Sequence, residues 1–277
     1  MPARAIDEIR KELYATAEDT NADIARGALW IAAEKYPELD LDRYLGYLDS
    51  VAKRISGTIP PDAPARLWRE AISAELFQNE GFRGNSEDYY DPRNSYLNEV
   101  IDRRTGIPIT LSVIYMSIAR KLGREAYGLN LPGHFLIALD GEAVDPFHGG
   151  KLIDRNGLLA QLKRAQTPDP EARLRELFAN PATTRSILAR MLVNLRSNHL
   201  RQKELEEALS TVDRLVNLDP ENALWLRERG ALFQALDCAS AAVNDLETYL
   251  VRAPDDPEAD VIRAAIEKLR SDLPSLQ

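Results

Sequence analysis

From residue 109 to residue 122 the apolar side chains fall on two helical stripes, 111/114/115/118/122 and 109/113/116. A helix that is apolar around most of its circumference has to be central, with other elements packed on several sides. Gly106-Ile107-Pro108 precedes it, with proline suited to a first helical turn, and Gly123 ends it. The pattern then changes period. Residues 125–129, 134–139 and 143–144 are short apolar runs separated by Pro132-Gly133 and Asp140-Gly141. They predict antiparallel strands, the last two joined by an Asp-Gly hairpin turn. Residues 81–165 are therefore expected to form one buried helix against a small antiparallel sheet.

The flanking segments are helical in pattern. Over residues 1–80, Ile6, Ile9 and Leu13 recur at helical spacing, then Ile24, Ala28, Leu29 and Ala32, then Leu45, Leu48, Val51 and Ile55. After a turn-rich stretch, Leu67, Ala71, Ile72, Leu76 and Phe77 predict a further amphipathic helix. Thr167-Pro168-Asp169-Pro170 and Asn180-Pro181 are candidate linkers. Beyond them, residues 183–277 repeat weakly with a period of 34: Ala208 maps to Ala242, Val212 to Leu246, Leu215 to Tyr249 and Pro220 to Pro254. This resembles the tetratricopeptide repeat, in which small residues let two helices cross closely. Gly230, Ala242 and Pro254 suit the second unit, whereas Arg196 and His199 suit the first poorly. Two units and a terminal helix near 258–269 are expected; the alternative is an ordinary helical-hairpin bundle.

With 35 Lys+Arg against 44 Asp+Glu the net charge is −9, which argues against nucleic acid as a partner, since duplex binding needs clustered cations. Charge in residues 183–277 is not polarised, at 12 basic against 16 acidic residues. No apolar run approaches a membrane span, and the opening residues lack the apolar core of a secretory signal, so a cytoplasmic protein without membrane contact is expected. The single cysteine, Cys238, excludes an intramolecular disulfide and a cysteine-cluster zinc site, and is expected to pack as a small buried hydrophobe.

Chemistry points to residues 103–148. If His134 opens one strand and Asp145 closes the next, the carboxylate can hold one imidazole nitrogen and leave the other free as a base. The bland alternative is a structural hydrogen bond. Asp145-x-x-His148 with His134 has the makings of a three-ligand metal site, but Pro146-Phe147 and Gly149-Gly150 predict a turn that points His148 outward, so no metal and no cofactor are expected. Arg103 and Arg104 precede the central helix, where they can hold an anion near the backbone N–H groups of Thr105-Gly106; the bland alternative is a bridge to Asp102 or Glu99.

The run Asn94-Ser95-Tyr96-Leu97-Asn98 through Arg103-Arg104-Thr105-Gly106-Ile107-Pro108-Ile109-Thr110-Leu111-Ser112, then Pro132-Gly133-His134-Phe135 and Asp145-Pro146-Phe147-His148-Gly149-Gly150, resembles the bacterial transglutaminase-like proteins with C-terminal tetratricopeptide repeats, among them the invasion-regulator type. The resemblance implies an α+β fold: a helical N-terminal region, a transglutaminase-like (papain-like) core with a small antiparallel sheet, and C-terminal tetratricopeptide-like helical repeats. It also implies His134 and Asp145 as the catalytic His and Asp of a thiol enzyme. In those enzymes the cysteine stands at a helix N-terminus, where the dipole favours the thiolate. Here that position is Pro108, which has no nucleophilic atom. Ser112 is on the same helix face but one turn deeper, about 5.4 Å away; its bland reading is a hydrogen bond back to the helix carbonyl four residues earlier. The expectation is a degenerate site and a protein- or peptide-binding regulatory module, binding through the repeat groove or the vestigial cleft. The alternative is a hydrolase or peptidase acting through Ser112 or a metal at His134/Asp145/His148.

Overall fold

The computed structural model describes residues 5–272, and the chain divides into two compact units between Met191 and Leu192. The first opens with helices α1 (Ile6–Glu18), α2 (Ile24–Ala33) and α3 (Leu41–Ser56). Asp23 and Asp40 cap the second and third, each carboxylate accepting a backbone N–H of the first turn (3.0 and 3.1 Å). Helix α4 (Ala65–Ser73) widens into a π-helical turn over Ala74–Asn79. Its inward face is Trp68, Ile72 and Leu76, whereas Leu67, expected inside, is 45% exposed. Trp68, Ile72 and Leu76 lie four apart on one helical face, and the bulky indole takes the inward place next to Leu67.

Helix α5 (Leu97–Arg103) ends on Arg104 in the left-handed region, after which strand β2 (Thr105–Gly106) pairs in parallel with β1 (Arg83–Gly84). The central helix α6 (Pro108–Lys121) is buried at every position from Pro108 to Ala119. It packs against α2, α3, β3 and β4, which is why its apolar residues occupy more than one face. Thr110 fixes its start: the hydroxyl oxygen accepts the Ile107 N–H (3.1 Å) and donates to the Asn94 carbonyl (2.9 Å). Gly123, at φ 71°, ends it, with the Arg124 N–H donating to the Ala119 carbonyl.

The antiparallel sheet follows in chain order: β3 (Ala126–Leu131), β4 (His134–Leu139), β5 (Glu142–Asp145) and β6 (Lys151–Ile153). Asp140 and Gly141 both have positive φ, as a tight hairpin of matching twist requires. Strand β6 has no counterpart in the sequence reading; it is three residues long and largely exposed, too little for an apolar pattern to mark. Helices α7 (Arg155–Arg164) and α8 (Pro170–Ala179) lay Leu158, Leu159, Leu162, Leu174 and Leu177 on Leu129, Leu131, Leu136 and Ala138. With Ile137 and Leu139 also buried, β4 is covered on both faces and reads as an unbroken apolar run. Thr167-Pro168-Asp169 therefore joins two helices of the first unit.

Helix α9 (Thr184–Gln202) carries the division between the units. In the second unit α10 (Leu205–Leu218), α11 (Leu224–Ala235), α12 (Ala239–Arg252) and α13 (Ala259–Asp272) pack each on the next. A Cβ at Gly230 would stand 2.9 Å from Leu246 Cγ, so the glycine allows the close crossing of α11 and α12. At the equivalent place in the first repeat, Arg196 instead pairs with Glu228, and His199 is buried with its Nδ1 2.6 Å from Glu204. Cys238 is exposed, contrary to its expected burial, because it stands in the turn that starts α12 rather than on a packed face.

Candidate functional site

Pro132-Gly133, with Gly133 at φ 72°, turns β3 into β4 so that His134 is the first residue of β4. The β4–β5 register pairs Ile137 with Val144, which sets Asp145 opposite Leu136 and makes His134 its diagonal neighbour. The two side chains meet: His134 Nε2 lies 2.9 Å from Asp145 Oδ2. Asp145 also starts the 3-10 turn Pro146–His148, where its Oδ1 accepts the backbone N–H groups of Phe147 (3.0 Å) and His148 (3.3 Å). That turn brings His148 back, and its Nδ1 sits 2.8 Å from the same Oδ2. The expected outward direction of His148 is thus corrected. The side chain is 62% exposed, yet Asp145 captures its Nδ1 because Asp145 caps the 3-10 turn whose last residue is His148.

One carboxylate, 3% exposed, therefore holds two imidazoles, of which His134 is 20% exposed. Burial pushes the Asp145 carboxyl up, but hydrogen bonds and charge from His134 and His148 outweigh it and hold it below the usual carboxylate range. Phe147 walls the cluster, its ring edge-on to His134 (6.3 Å between centroids), His148 (5.2 Å) and Tyr89 (6.3 Å). Phe147 fits because residue 84 is glycine: a Cβ there would lie 2.6 Å from the ring and 2.7 Å from the Phe147 carbonyl oxygen. Gly150 does the same behind the turn, pressed on Ser73 and Phe77 at φ 77°. Sequence reasoning gave these residues no role; the small residue in Phe82-Arg83-Gly84 was the only trace of the contact.

No hydrogen bond or ion pair among the described residues links the remaining candidates to this cluster. Pro108 is the first, buried residue of α6. Ser112 is fully buried, and its hydroxyl has no partner at all, so the expected bond to the preceding helical turn is not made and no substrate reaches it. Arg103 pairs with Asp91 (3.2 Å), and Arg104 pairs with Glu80 (3.0 Å) while its guanidinium stacks on Tyr47 and Phe82. Neither bridges Asp102 or Glu99; both tie α5 to its neighbours, and Arg103 keeps a buried Nη1 without a hydrogen-bond partner. A groove of about 860 Å³ between β5–β6 and α7–α8 includes none of His134, Asp145 or His148.

A central helix under a small antiparallel sheet with a His–Asp pair on adjacent strands, followed by helical repeats, defines the transglutaminase-like class with a tetratricopeptide extension. Residues 42–193 match the model of the transglutaminase-like superfamily and residues 195–267 that of a tetratricopeptide repeat. The chain belongs to this superfamily and, within it, to the family of the bacterial UPF0162 proteins. It is 37% identical to a UPF0162 protein of Xylella fastidiosa, over 93% of this chain and 94% of the relative. It is 31% identical to one of Pseudomonas aeruginosa, over 83% and 85%, and 26% identical to YchA of Escherichia coli, over 84% and 87%. No helix among the described residues is long and apolar enough to cross a membrane.

Proposed function

We propose that this chain is a non-catalytic protein- or peptide-binding regulatory module, built on a thiol-enzyme fold that has lost its nucleophile. One observation carries the reading: among the described residues, the only side chain hydrogen-bonded to the His134 ring is the Asp145 carboxylate. Acyl transfer needs a thiol or hydroxyl within about 3 Å of the base. Pro108 has neither, and the Ser112 hydroxyl is sealed inside the core. Without a nucleophile the His–Asp pair serves as a polar anchor beside Phe147 and Tyr89. The helical repeats offer the second surface, since stacked helical hairpins present extended grooves to peptides and helices. The expected setting is the cytoplasm, with a protein partner and neither nucleic acid nor membrane.

The test uses the full chain. Incubation with a fluorophosphonate probe and with a glutamine acceptor plus an amine donor is expected to give no adduct and no product. Labelling lost in Ser112→Ala, or turnover lost in His134→Ala, would overturn the proposal. Affinity capture with wild type and with His134→Ala/Asp145→Ala then assigns the surface: a partner lost only from the variant binds at the cleft, and one retained binds at the repeats.

A further inference from the structure

His134, Asp145 and His148 bring three donor atoms, Nε2, Oδ2 and Nδ1, within 4.8 Å of one another. Zinc binds imidazole nitrogen at about 2.0–2.1 Å and carboxylate oxygen at about 2.0–2.2 Å, so donors sharing a tetrahedral ion stand about 3.4 Å apart. Both nitrogens already lie 2.9 and 2.8 Å from Oδ2, and a small outward rotation of the rings opens the space for an ion. The carboxylate needs no rearrangement. Its Oδ1 is held by the Phe147 and His148 N–H groups, which leaves Oδ2 directed at the imidazoles as a single, fixed ligand.

We propose that these three residues form a binding site for one divalent transition-metal ion, of the zinc, cobalt or nickel type. Ligand chemistry sets the class. Two neutral imidazoles and one carboxylate suit borderline cations, while calcium and magnesium seek all-oxygen sets. One negative ligand suits a dication, and no Lys or Arg among the described residues is paired with it. His134 Nδ1 and His148 Nε2, the ring nitrogens facing away from Asp145, have no hydrogen-bond partner among the described residues. Three protein ligands leave a position open at the exposed edge of His148, where a carboxylate or imidazole from a binding partner would complete the shell. The site is independent of whether the protein binds its partners there or at the repeats.

The experiment takes tag-free, chelator-treated full-length protein in a Cys238→Ser background, so that the exposed thiol cannot compete. Zinc is titrated against a chromogenic indicator, and cobalt is followed by its visible d–d absorption. The expected result is one saturable equivalent of either metal, with magnesium and calcium in excess displacing neither. His148→Gln, which keeps an amide to donate to Asp145 at an exposed position, should weaken binding by about 100-fold or more, and His134→Ala should do the same. Circular dichroism checks that each variant is folded. No saturable equivalent in the parent, or equal affinity in folded His148→Gln, overturns the site while leaving the non-catalytic reading untouched. Ester or peptide hydrolysis by the zinc-loaded protein would overturn that reading and leave the site standing.

Discussion

Gly84→Ala tests how the turn bearing Asp145 and His148 is held. The new methyl would stand 2.6 Å from Phe147 Cδ2 and Cε2 and 2.7 Å from the Phe147 carbonyl oxygen. Non-bonded carbon atoms rest at about 3.5–4.0 Å, so the neighbours must retreat by about 1 Å. The ring alone can tip aside, but the carbonyl belongs to the 3-10 turn, and moving it moves the backbone that Asp145 caps. Overpacking of this kind costs about 1–3 kcal/mol, and the backbone contact argues for about 2. For a unit of this size that is a fall in melting temperature of about 4–8 °C. Differential scanning calorimetry of the full chain, reading the transition of the unit that ends at Met191, gives the shift. Gly46→Ala is the control: nothing lies within 4 Å of its Cβ position on the exposed side of α3, and helix propensity predicts a gain of up to about 1 kcal/mol. Unchanged stability in Gly84→Ala would refute the idea that β1 buttresses the turn.

Ser112→Ala removes a buried hydroxyl that has no partner, and should raise stability by about 1 kcal/mol in urea denaturation; a serine used in chemistry would show no such gain and a loss of activity instead. Burial pushes the Asp91 carboxyl up, but hydrogen bonds from the Arg93 side chain and backbone, with the charges of Arg103 and Arg93, hold it below the usual carboxylate range. Its contribution to stability is therefore full above the ordinary aspartate value and fades as pH falls through the lowered one. Acid titration of Asp91→Asn should show a shallower loss than wild type below about pH 4. In the second unit Arg229 pairs with Asp213 and with buried Asp245 (2.6 Å), and Arg229→Met should cost about 3–5 kcal/mol by leaving that carboxylate unpaired. A second calorimetric transition unmoved in Arg229→Met would contradict this.

The elements that bury the most apolar surface were the easiest to read. α6 declared itself by apolar residues on every side, and the Asp140-Gly141 hairpin by residues that tolerate positive φ. The weak elements, β6 and the two-residue ladder of β1 with β2, left no pattern because a strand that short has no periodicity to show. Trp68 rather than Leu67 took the inward place, a choice between adjacent apolar residues that only packing makes, and nothing local in Ala74-Glu75-Leu76-Phe77 announces the π turn. The His134–Asp145 approach followed from strand ends and turn chemistry. Capture of His148 did not, since a Pro-Phe step is compatible with either direction of the following side chain.

What the sequence by itself determined is the layout: a buried helix begun by Pro108, a sheet whose adjacent strands carry His134 and Asp145, and a run of helical hairpins. Periodicity and turn residues are local properties, and local physics is enough to read them. Tertiary structure alone decided that one Asp145 oxygen faces two imidazoles and that Ser112 is sealed in the core. It also committed Arg103 and Arg104 to internal pairs. Each of these depends on which distant group arrives within about 3 Å, and polar contacts at that range are fixed by packing between elements rather than by the residues on either side.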